Sequence, residues 1–136
     1  MKKHRIMLFI TAVVSVILEL LPSGAVCNFA TPEKTIRQTF AYFSLTPFGY
    51  ANFGPFITAC LTCIMFVCSI SFFIKFSYKL NQIAIIISGI SIITSFLPIF
   101  LGINYYSVVG GFISATIILQ FIILRKLKRS NINETQ

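Results

Sequence analysis

Four long apolar runs leave this chain few ways to fold. They cover residues 6–21, 55–74, 83–101 and 106–124, and each is 16–20 residues long. A helix rises about 1.5 Å per residue and a bilayer core is about 30 Å thick, so each run can span it as a helix, the first only just. With 10% charged residues and a mean hydropathy of +0.90, a soluble fold of 136 residues would leave much apolar surface in water. The runs show no period-2 alternation, and a membrane barrel needs at least about eight strands, so strands do not fit them. The expected fold is all-α, a polytopic membrane protein. It forms one domain over residues 1–136, with four transmembrane helices in a bundle. The spans fall at about 6–22, 54–75, 82–102 and 105–124, and an outer loop covers 23–53.

The net charge of +8 is distributed as membrane topology requires. Lys2, Lys3 and Arg5 precede the first span, Lys75 and Lys79 join the second to the third, and Arg125, Lys126, Lys128 and Arg129 follow the fourth. With four spans these nine of the eleven bases share one side, and only Lys34 and Arg37 take the other. The nine-base side is expected in the cytoplasm, with both termini. The tyrosines agree: Tyr42, Tyr50, Tyr78, Tyr105 and Tyr106 fall at span boundaries or in the first loop, where amphipathic rings sit at headgroup level. No basic patch is interleaved with base-stacking aromatics on a polar scaffold, so a nucleic-acid partner is not expected. The N-terminus has a second reading. A basic tip, an apolar core and the small residues Ser23 and Ala25 also describe a cleaved signal peptide, leaving three spans. A lipoprotein box at Cys27 fits less well, because Val26 is bulky beside the cysteine.

The first loop is far longer than the other two connections, and long loops in compact proteins are usually functional or disordered. This one is rich in aromatics, unlike a free chain. Thr31, Pro32 and Glu33 suit a helix start. Ile36, Phe40 and Phe43 then recur at helical spacing, with Lys34, Arg37 and Gln38 on other faces. The pattern predicts an extracytoplasmic amphipathic helix over residues 32–43, lying on the outer membrane surface. Pro47, Gly49, Gly54 and Pro55 turn the chain back into the bilayer.

Glu19 is the residue most in need of explanation, in a chain with only three acidic residues. It lies about 20 Å up the first span. Thr11 and Ser15 precede it at four-residue spacing, so all three share a helix face that should point into the bundle. A carboxylate within a membrane is expensive and a candidate for function by default. Its expected partners are Lys34 or Arg37, folded over it from the loop. The alternative is a purely structural role, as a salt bridge or as a hydrogen bond to backbone freed near Pro22.

Cys60 and Cys63 form a C-x-x-C near the outer end of the second span, and Cys27 lies near the same surface. Four spans with an outward C-x-x-C resemble quinone-linked disulfide-forming enzymes, although those carry a second cysteine pair in an outer segment. In a helix the same cysteines also serve as small interface residues. No zinc site is expected, since the only histidine, His4, is on the other side. Gly110 with Ser114, Gly111 with Ala115, and the stripe Ser88, Ser91 and Ser95 let helices approach closely. Gln120 is expected to reach the inner interface. No P-loop, catalytic triad or paired carboxylates occur, and no cofactor is implied.

The segments ELLPSGAV and SLTPFGYANFGPF, within residues 19–65, resemble small four-span membrane proteins of low-GC Gram-positive bacteria, a group that remains uncharacterised. The resemblance implies a bacterial membrane protein and brings no activity with it. Small multidrug transporters also pair four spans with a first-helix carboxylate, but theirs sits deeper and they lack so long a first loop.

The expected function is therefore that of a non-enzymatic accessory, binding or immunity-type protein of the bacterial plasma membrane. Its partners would be the lipid bilayer and either a protein at the outer loop or further copies of itself. A small transporter or channel subunit using Glu19 is the first alternative, and a thiol–disulfide redox protein using Cys60 and Cys63 is the second.

Overall fold

The computed structural model describes residues 2–30, 32, 34–44 and 50–134. Four helices dominate it: α1 (Lys2–Leu20), α2 (Tyr50–Ile74), α3 (Tyr78–Leu101) and α4 (Val108–Glu134). α1 packs on α2 and α4, and α3 packs on the same two, so the helices form a closed ring. Within these helices Phe53–Ile74, Tyr78–Leu101 and Val108–Ser130 are long and apolar enough to cross a membrane. The burial pattern agrees with their composition. Ser69, Ser88, Ser91, Ser95 and Gln120 are buried, while Ile83, Ile86, Ile93, Phe112 and many other large apolar side chains face outward. That arrangement suits a hydrocarbon surround, and the chain is a multi-pass membrane protein.

Local chemistry sets the helix ends. α1 stops just before Pro22, whose ring disfavours helical backbone in the residue before it. α3 stops at Gly102, where φ is +136°, a conformation open to glycine and rarely to other residues. The chain then makes a short 3-10 turn, Ile103–Tyr105, before Ser107 starts α4. The Ser107 hydroxyl accepts a hydrogen bond from the Gly110 amide at 2.8 Å, as an N-cap side chain does.

The loop between α1 and α2 departs from expectation. In place of an amphipathic helix over residues 32–43 it forms an antiparallel hairpin of β1 (Ala25–Ala30) and β2 (Thr35–Phe40). The register pairs Ala25 with Phe40 and Asn28 with Arg37. A spacing of four places Ile36 and Phe40 on one face of either a helix or a strand, so that signal could not choose between them. The β-branched Thr35, Ile36 and Thr39, with Phe40, favour the strand, and Ala25–Ala30 supplies its partner. Thr31 and Glu33 of the expected helix start, and Pro47 and Gly49 of the expected turn, lie outside the described residues.

Two apolar clusters fill the bundle. At the tail end Leu8, Met65, Phe72, Ala84, Ile123, Leu124 and Leu127 meet. Arg5 closes that end. Its guanidinium donates to the Phe72 carbonyl at 3.1 Å, near the C-terminus of α2, and lies 5.1 Å from the centre of the Phe76 ring. At the hairpin end the cluster is Ala25, Tyr42, Ala59, Ile113 and Ile117.

Candidate functional site

The polar side chains between these clusters come from α1, α2 and α4. Ala12, Ser15 and Glu19 share the buried face of α1, continuing upward from Leu8. Thr11 is half-buried beside them and turns its hydroxyl back to the Leu8 carbonyl at 2.9 Å. Ser15 joins α1 to α4. Its hydroxyl lies 2.8 Å from that of Thr116, and it accepts a hydrogen bond from the Gln120 amide, also at 2.8 Å. Gln120 donates as well to the Thr11 carbonyl at 3.2 Å. Gln120 therefore turns into the bundle, where sequence analysis expected it to reach the membrane interface. The amide has partners there that lipid would not offer.

One turn above Ser15, the Glu19 carboxyl meets α2. Its Oε2 lies 2.5 Å from the Thr62 hydroxyl, which also lies 2.9 Å from the Ala59 carbonyl. Glu19 is wholly buried, and among the described residues neither its Oε1 nor that of Gln120 has a hydrogen-bond partner. Lys34 and Arg37, the bases expected over Glu19, are exposed on the hairpin, so the side chain bonded to Glu19 is a hydroxyl of the neighbouring helix.

The hairpin is tied to this site through the backbone and through Tyr42. The Tyr42 amide donates to the Glu19 carbonyl at 3.0 Å. Its ring is buried between two glycines. A Cβ added to Gly24 would fall 2.8 Å from Tyr42 Cδ1, and one added to Gly110 would fall 3.1 Å from the Tyr42 hydroxyl oxygen. The Gly24 carbonyl in turn accepts a hydrogen bond from Ser107. The Tyr42 phenol is pushed well above its usual range, by burial first and then by the neighbouring Tyr106 and Glu19 groups. It therefore stays neutral at ordinary pH. Burial also pushes the Cys27 thiol up.

Other expected features are dispersed. Cys27 is buried in β1, Cys60 is exposed on α2, Cys63 is half-buried and Cys68 is buried. The Gly110 and Ser114 pair is buried, with Ser114 bonded to Ser95 of α3 at 3.1 Å and to Tyr106 at 2.8 Å. The Gly111 and Ala115 pair lines a surface groove instead.

Thr62, Thr116 and Tyr42 join the site without having been expected there from the sequence. Thr58 and Thr62, four residues apart in α2, carry the same signal as Thr11 and Ser15 in α1, since a hydroxyl stripe on an apolar helix marks its bundle face. No family model, curated protein or solved structure matches the chain.

Proposed function

We propose that this is a four-span protein of the bacterial plasma membrane that acts by binding, as an accessory or immunity-type protein without enzymatic activity. The observation that supports this most is the asymmetric hairpin. β1 begins with buried Ala25, Val26 and Cys27 and is anchored against the bundle, while Thr35 to Thr39 of β2 are all exposed. An open strand edge held on a firm base offers backbone groups to another chain. α1 counts as the fourth span on this reading. Its 19 residues reach about 28 Å, and its polar face is turned inward. The base-rich ends of the helices lie together, with Arg5 on α2 and Lys128 over the Tyr78 ring, so the positive-inside rule puts them in the cytoplasm and the hairpin outside.

The test is site-directed photocrosslinking in cells. A crosslinker at Thr39 should give one discrete product, and the same crosslinker at lipid-facing Ile86 should give none. A product at twice the chain's 15.3 kDa would identify a homo-oligomer. No product at Thr39 would reject the binding role.

A second reading, a proton-carrying transporter or channel subunit, draws support from hydrogen-bond counting. Thr62 has one hydroxyl proton and two acceptors within reach. Both contacts are satisfied if Glu19 carries a proton and donates it to Thr62 Oγ1, leaving Thr62 to donate to Ala59. The unpartnered Oε1 atoms of Glu19 and Gln120 then remain as acceptors for a proton or a water molecule. Proton-linked flux in proteoliposomes, lost in a folded Glu19→Gln variant, would favour this reading over the first.

A further inference from the structure

Two cavities meet at the 3-10 turn between α3 and α4. One is an apolar groove of about 490 Å³ along the start of α4, lined by Ile103, Tyr106, Val108, Gly111, Phe112 and Ala115 among others. The other is a cleft of about 320 Å³ between the turn and the hairpin, lined by Asn28, Thr35, Arg37, Asn104 and Tyr105. The turn forms the ridge between them, with Ile103 on the groove side and Asn104 and Tyr105 on the cleft side.

The two cavities differ in chemistry along one direction. Phe100, Ile103 and Val108 are 83%, 83% and 79% exposed, and such side chains at the ends of apolar helices need hydrocarbon around them. One step further out stand a guanidinium, two carboxamides and two hydroxyls. The boundary between hydrocarbon and headgroups therefore follows the turn. Asn28 and Arg37 are register partners in the hairpin, and Thr35 lies two residues from Arg37 on the same strand face, so the three project together. An arginine fork with amide and hydroxyl donors around it suits a phosphate. The described lining residues include no carboxylate to pair with an ammonium headgroup.

We propose that groove and cleft together seat one anionic phospholipid, with an acyl chain against Gly111 and Phe112 and its phosphate held by Arg37, Asn28 and Asn104. A headgroup of the glycerol type, which adds hydroxyls and no cation, fits the cleft. The seat goes beyond the binding role proposed above and shares with it only the position of the hairpin at a membrane surface.

Native mass spectrometry of the full chain in mild detergent tests it, using phosphatidylglycerol and phosphatidylcholine with identical acyl chains. Both lipids offer the phosphate, but choline sets a second cation beside the Arg37 guanidinium, so phosphatidylglycerol should be retained about tenfold better. Arg37→Gln should remove that preference, and Asn104→Ala should reduce it. Gly111→Leu should lower retention of both lipids. A Cβ at Gly111 makes only ordinary contact with Tyr106, at 3.8 Å, and Arg37 and Asn104 are exposed, so the fold should survive all three changes. Unchanged thermal midpoints would confirm that it does. Equal retention of the two lipids, or indifference to Arg37→Gln, overturns the headgroup site. Displacement of the lipid by millimolar glycerol phosphate, with no effect of Gly111→Leu, would mean a soluble-anion site and overturns the lipid seat.

The orientation is tested separately by labelling a cysteine at Thr39, in a chain whose native cysteines are replaced by serine, with an impermeant reagent. Labelling only from the cytoplasmic side would remove the outer hairpin and leave the lipid result standing. Labelling from outside with no lipid retained would remove the seat alone.

Discussion

At the tail end of the bundle, Leu8, Met65, Phe72, Leu124 and Leu127 meet side chain to side chain, and one arginine secures the edge. At the hairpin end, one tyrosine ring lies against the backbone of two glycines, and hydrogen bonds hold the surrounding turns. The first kind of contact depends on total volume. Flexible side chains around it can adjust to a change of shape. The second depends on the absence of atoms at two positions, and backbone cannot make room. The hairpin end should therefore be the less forgiving of the two, although its apolar cluster has fewer buried members.

The sharpest way to break this contrast is Gly24→Ala. The new methyl would meet a ring that is 2% exposed and has nowhere to move. A loss of about 1–3 kcal/mol is expected, with faster proteolysis in the hairpin. Leu8→Met at the tail end should lose less than about 1.5 kcal/mol. Unfolding in mixed micelles gives both values, and the reverse order would show that the glycine contact is dispensable. Next in size is Ser107→Ala, which removes an N-cap and the bond to the Gly24 carbonyl together. It should lose roughly 1–2 kcal/mol, with the hairpin becoming protease-sensitive before the helices do.

The smallest effect sharpens the contrast at the carboxyl. A double-mutant cycle between Glu19→Gln and Thr62→Val should show coupling of about 1 kcal/mol, within the range found for hydrogen bonds between membrane helices. The cycle between Glu19→Gln and Arg37→Gln should show coupling near zero. Strong coupling to Arg37 would restore the ion pair that the sequence suggested.

Much of the bundle was legible because length and apolarity are properties of single segments. Three of the helices are long and apolar enough to cross a membrane, although α4 runs on to Glu134, past the expected end near 124, and the face carrying Ser15 and Glu19 followed from four-residue spacing. The partner of Glu19 was not legible. Whether Thr62 or Arg37 reaches it depends on the relative height and rotation of packed helices, which no single segment encodes. Charge complementarity pointed to Lys34 and Arg37, but Lys34, just before β2, and Arg37, within it, are both exposed. The hairpin was misread for a related reason. Thr35–Phe40 is too short for its period to decide, and only the pairing with Ala25–Ala30 makes it a strand. No local motif marks Gly24, because its importance comes from a tyrosine eighteen positions later and a helix much further on.

The slot that receives Tyr42 also has an order in time. A ribosome delivers Gly24 and the tyrosine early, soon after α1, but the opposite wall belongs to Gly110, and Ser107 stands next to it. Until α4 has entered the bilayer, the hairpin has a ring with one wall to lean on and a Gly24 carbonyl without its donor. The hairpin is thus among the first elements synthesised and the last to be seated. Its seating records that every helix has arrived, and a chain stalled before α4 would present the same residues loose to any protease on that side of the membrane.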